Sequence, residues 1–217
     1  MNYKTFYTIF LAEMPQRLQG SNDFGAQLGM LQENISYNNN VKTVNTNIFK
    51  LELGSQVTYW FGDESAQNVS IIVDTNVDGN FCKVVLSSKN PAIPQGSPPF
   101  ASELYLEIKL DTGKAALVLT SDNLMSTDGE KLWKGLVQRG NKLSVYDTEL
   151  SKYVLTPIES ISQLDDFLGD FTKNKYVFVL SETADQQRGT MHSINIMELK
   201  RLANWPLFEF IEKSKQK

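Results

Sequence analysis

The densest set of residues that could do chemistry lies in residues 117–147. An apolar run ending at Thr120 leads into a polar loop with Ser121, Asp122, Ser126 and Thr127, then an amphipathic stretch and a second apolar run. Open α/β sheets gather ligands beyond the carboxyl ends of their strands, where helix N-termini aim amide groups at an anion. Ser121, Asp122, Ser126 and Thr127 are therefore the candidate ligand-binding residues, forming a cradle for an anion or cofactor. The competing structural role is local. Thr127-Asp128-Gly129-Glu130 reads as a capping box, Ser126 shares the cap, and Asp122 closes a turn.

In the order of its elements this segment resembles the acyl-CoA cradle of the GNAT acetyltransferases. These place a strand, a turn, a helix whose first amides hold the pyrophosphate, and another strand in succession. The resemblance implies a divergent acyltransferase with its cofactor at the 121–130 loop. The stretch corresponding to the family's Q/R-x-x-G-x-G/A turn is Asn123 to Gly129, with one glycine and no arginine.

A second resemblance sits in Glu107-Ile108-Lys109, which is similar to the E-x-K of PD-(D/E)xK nucleases. It implies Mg²⁺ held by Glu107 with Asp74, Asp78 or Glu103, and Lys109 stabilising the attacking water or the phosphate. That reading requires residues 102–110 to be a strand rather than a helix. Asp74-Thr75-Asn76-Val77-Asp78-Gly79 matches the opening of a calcium loop, but position twelve is Val85 instead of a bidentate glutamate. An Asp-Gly hairpin turn is the simpler expectation, and no metal site is assigned.

Nucleophilic catalysis has little to work with. His192 is the only histidine and Cys82 the only cysteine, so an intramolecular disulfide and a Cys-rich zinc site are excluded. Cys82, beside Phe81, is expected to be an inert core thiol. Tyr59-Trp60-Phe61 offers either a stacking platform or core packing, and alternation favours core.

The elements that position these residues follow from pattern. A strand is expected at 3–11, a short helix at 26–34, and a meander of strands at 48–53, 57–61, 69–73 and 81–86. The proline-rich loop 90–100 then separates this β-rich half from an α/β half. There, residues 102–110 read as helix or strand, with Ser102 as the cap if helical. Strands are expected at 114–120, 142–146 and 176–180, and helices open near Thr127, Ser160 and Ser193. The expectation is an α+β fold: an N-terminal antiparallel meander and a mixed α/β half in one domain spanning residues 1–217.

The 217 residues carry a formal charge of −4, from 21 basic and 25 acidic side chains. A duplex nucleic-acid binder is disfavoured, because phosphate neutralisation needs basic excess. No apolar run is long enough to span a membrane. Every catalytic constellation is incomplete. The leading expectation is thus a non-catalytic accessory binding or interaction protein, cytoplasmic, with a protein partner or self-association and the cofactor left open. Its Asn-rich, motif-poor composition fits a phage or mobile-element accessory protein.

Overall fold

The computed structural model describes residues 24–38, 40–122, 127–168 and 173–180. The expected strand at 3–11, the helix at 193–203, His192 and Ser126 lie outside them. Among the described residues no helix is long and apolar enough to cross a membrane.

Helix α1 (Phe24–Asn38) leads into strands β1 (Val41–Asn45), β2 (Ile48–Leu53), β3 (Gln56–Phe61), β4 (Ile71–Asp78) and β5 (Phe81–Lys89). Each strand is antiparallel to the next, which is the meander the alternating pattern predicts. Asp78 pairs with Phe81 across a two-residue loop whose first member, Gly79, has φ +57°. Only glycine takes that conformation without a Cβ penalty, so the Asp-Gly signal marks the hairpin it predicted.

Helix α2 (Ala101–Lys114) crosses to β6 (Val118–Thr120), followed by α3 (Thr127–Gln138), β7 (Leu143–Asp147), β8 (Lys152–Leu155), α4 (Ile161–Asp165) and β9 (Tyr176–Leu180). Among the described residues one nine-stranded sheet runs through both halves in the order β1-β2-β3-β4-β5-β6-β9-β7-β8. The β5–β6 pair is parallel, as a helical crossover permits. Strand β9 inserts between β6 and β7 and is antiparallel to both. The class is α+β, as expected.

Residues 102–110 are helical because Leu104, Tyr105, Ile108 and Thr112 recur at helical spacing and are all buried. Phe100, rather than Ser102, is the N-cap, and the Ser102 hydroxyl accepts from Arg139 inside the helix. The strand expected at 114–120 shrinks to three residues, since α2 runs to Lys114 and Ala116 turns the chain at φ +56°. The helix near Ser160 ends at Asp165, short of the Phe167 and Leu168 expected on its apolar face. Strands β1 and β8 were missing from the sequence reading.

Both sheet faces carry core. On one face Leu104, Tyr105 and Ile108 of α2, Trp133 and Leu136 of α3 and Leu164 of α4 pack on Tyr59, Val73, Val145 and Phe178. On the other, Phe24 and Leu31 of α1 cover Phe49, Leu51, Trp60 and Ile72. Gln27 is buried and locks α1 in place. Its Nε2 donates to Asp74 (2.6 Å), Thr58 donates to the other Asp74 oxygen (2.6 Å), and the Gln27 carbonyl accepts from Ser88. Trp60 stacks on Phe49 and its Nε1 donates to the Asp63 carbonyl (2.7 Å). Tyr59 and Trp60 are thus core, as the alternation favours.

The Asp63 carboxylate organises the loop after β3. It accepts from Ser65 Oγ, from the Gln67 and Asn68 backbone amides and from Asn68 Nδ2, at 2.7–3.0 Å. Desolvation raises the carboxyl pKa, but these bonds outweigh it and hold the group below its ordinary 3.8. Because the folded pKa is the lower one, this contribution to stability is complete above 3.8 and is lost as pH falls through the folded value. Asp63→Ala should therefore cost about 1 kcal/mol at neutral pH, water replacing part of the lost bonding, and less in acid. Urea unfolding of both proteins at neutral and acid pH checks this.

Candidate functional site

A cleft of about 310 Å³ opens on the α2 side of the sheet, between the C-terminal end of that helix and strands β2–β5. Its polar wall is Lys50, Glu52, Tyr59 and Asp111, and its apolar wall includes Val57, Val77, Cys82 and Leu117. Strand alternation explains the placement. Phe49 and Leu51 of β2 face α1, so Ile48, Lys50 and Glu52 face α2, and Lys50 lies in register with Tyr59 of β3. Asp111 arrives one turn beyond Ile108 on the buried stripe of α2.

The Lys50 ammonium donates to Asp111 Oδ2 at 2.6 Å and meets Glu52 Oε1 at 3.0 Å. The Tyr59 hydroxyl donates to the same Asp111 oxygen at 3.0 Å. Lys42 pairs with the other Glu52 oxygen, and Lys114 stands 3.9 Å from Asp111 Oδ1. Lys50 and Asp111 are only 17% and 11% exposed, so the central pair is largely desolvated.

These contacts set the protonation states. Burial alone would push the Lys50 pKa down, but the hydrogen bonds to Asp111 and Glu52 prevail and raise it. Bonding to Lys42 and Lys50 holds Glu52 below its usual range. Burial, followed by the Asp111 charge, pushes the Tyr59 phenol well above its ordinary value. Burial likewise pushes the Cys82 thiol up, against a hydrogen bond with Thr75 that lowers it. Near neutrality the cleft therefore holds a charged lysine, ionised Glu52, a neutral phenol and a neutral thiol. It offers hydrogen bonds, paired charges and an apolar wall.

Of the loop residues expected to bind, Ser121, Asp122 and Thr127 are not among those lining this cleft. Ser121 is buried and continues the β6–β9 ladder: its N–H donates to the Phe178 carbonyl, and its hydroxyl accepts from the Phe178 N–H, both at 2.8 Å. Asp122 follows it and pairs with Lys83 at 2.8 Å. Thr127 opens α3, as expected. Strands β6 and β7, which the acyltransferase resemblance places in succession around this helix, have β9 between them.

Glu107 and Lys109 lie on α2, about 200° apart around the helix, whereas on a strand they would share a face. The strand condition for the nuclease reading is not met. Asp74, Asn76 and Asp78 belong to strand β4 rather than to a loop, and Asp74 is already bonded to Gln27 and Thr58. Among the described residues no three acidic, histidine or cysteine side chains group to hold a metal.

Sequence reasoning passed over Lys50, Glu52 and Asp111. Two signals were there to read. Lys50 interrupts a strand whose two faces both need apolar residues, and Asp111 interrupts the apolar stripe of a helix. A charge on a covered face implies a partner across the interface. No family model, curated protein or solved structure matches the chain.

Proposed function

We propose that the chain is a non-catalytic binding protein that takes its ligand in the cleft at Lys50, Tyr59 and Asp111. What supports this reading most is the pairing of its polar groups: Lys50 is held by Asp111 and Glu52, and the Tyr59 hydroxyl by Asp111, so each is already engaged with another. The upward shifts of the Lys50, Tyr59 and Cys82 pKa values agree with it. The cavity of about 310 Å³ lies at the small end of the range for ligand sites. A cytoplasmic accessory role goes with this reading, in keeping with a lone, buried, unpaired cysteine.

Ala115 is exposed at the rim of the cleft, so Ala115→Trp should close the mouth with little effect on the core. Native mass spectrometry of the full chain, purified gently from its host, provides the test. A small-molecule adduct on the wild type that disappears in Ala115→Trp supports the reading. An adduct that survives the substitution puts the site elsewhere, and a co-purifying protein with no small molecule replaces this reading with a protein-interaction module.

A further inference from the structure

Resting on the cleft being a binding site, we infer the chemical class of its ligand: a small uncharged molecule with a hydroxyl- or amide-bearing head and an apolar body. The argument is an inventory of charge and hydrogen-bonding capacity. Lys50 directs two of its three N–H groups at Asp111 and Glu52, which leaves one donor. Asp111 Oδ2 accepts from both Lys50 and Tyr59, while Oδ1 faces Lys114 at 3.9 Å, too far for a hydrogen bond. The Tyr59 oxygen donates to Asp111 and keeps its acceptor capacity. The polar wall thus retains donors and acceptors, yet every charge on it already has an opposite charge beside it.

An anionic head would compete with Asp111 and Glu52 for Lys50. A cationic head would compete with Lys50 for the same carboxylates. Either would bring a new charge into a partly desolvated cleft whose lysine and carboxylates are already matched to one another, so that the ligand's charge would lose water without gaining a counter-ion of its own. A neutral head of hydroxyls or amides adds hydrogen bonds and leaves the pairs intact. Val57, Val77 and Leu117 then take the apolar body.

The test uses three probes with the same six-carbon tail: hexyl β-glucoside, hexanoate and hexylamine. Each is titrated into the full chain, wild type and Ala115→Trp, while the backbone amide shifts of Thr112, Ala115 and Leu117 are followed. Hexyl glucoside should move these amides saturably in the wild type and not in Ala115→Trp, with the two charged probes at least about tenfold weaker. Hexanoate or hexylamine binding as tightly as the glucoside overturns the neutral-ligand class and leaves the cleft standing as a binding site. No shift with any of the three overturns both.

Discussion

Gly62→Ala is expected to lower stability by about 3 kcal/mol. An added Cβ would overlap the Asn68 carbonyl oxygen and would lie 3.1 Å from both the Asn68 carbonyl carbon and the Val69 Cα. Each of these is backbone, so no side chain can rotate away. The loop cannot yield easily either. The Asp63 carboxylate bonds both backbone amides that precede Val69, and the Trp60 indole bonds the Asp63 carbonyl. Moving Asn68 would disturb the ring that fills the core beneath α1. Gly54 and Gly135, with nothing within 4 Å of an added Cβ, serve as contrasts. Gly135→Ala on the helix should be nearly neutral or slightly stabilising, while Gly54 at φ +64° pays only for backbone conformation. Chemical denaturation measures all three, and a Gly62→Ala midpoint equal to wild type would mean that the loop is looser than its hydrogen bonds imply.

Asp111→Ala should cost roughly 3 kcal/mol. It removes the partner of a lysine that is only 17% exposed and leaves the Tyr59 hydroxyl without its acceptor. Breaking a fully buried pair from one side costs about 3–5 kcal/mol, and the remaining contact with Glu52 keeps Lys50 at the low end of that range. The double variant Lys50→Met with Asp111→Leu should recover most of the loss, since it removes both charges and fills the space with apolar atoms. A double variant as unstable as Asp111→Ala alone would show that packing at position 111, not the charge, is what matters. The comparison needs the denaturant dependence to stay constant across variants.

The two variants also mark what the sequence made legible. The meander from β2 to β5 could be read because its strands alternate and its turns carry glycine, with Gly54 and Gly79 both at positive φ. Helices α3 and α4 were visible at their starts, near Thr127 and Ser160, where an apolar spacing begins. Strand β1, VKTVN, was not: among the described residues it lies at the edge of the sheet with little buried surface, so its residues carry almost no pattern. Helix α2 stayed ambiguous because its apolar positions suit either period until Thr112 extends the helical one.

The site was less legible still. Ser121 has the residue type of a ligand-binding loop, yet its hydroxyl completes a strand ladder that is visible only once β9 is known to lie beside β6. Lys50, Tyr59 and Asp111 meet across 61 and 52 residues of chain, separations that no local motif spans. Their approach depends on α2 crossing back over the meander. That is a tertiary consequence of the parallel β5–β6 connection.

The claim that this cleft binds without reacting is tested most directly by titrating Tyr59 and Cys82 in the intact protein. Site-resolved carbon-13 shifts of the tyrosine ring and of the only cysteine give both ionisations in one experiment. Tyr59 should stay protonated through the range in which an ordinary tyrosine ionises, about pH 10, and Cys82 should remain a thiol beyond the usual value of about 8.5. Either group ionising near neutrality would contradict the account, because the cleft would then hold an activated nucleophile or base and would have to be read as a catalytic centre.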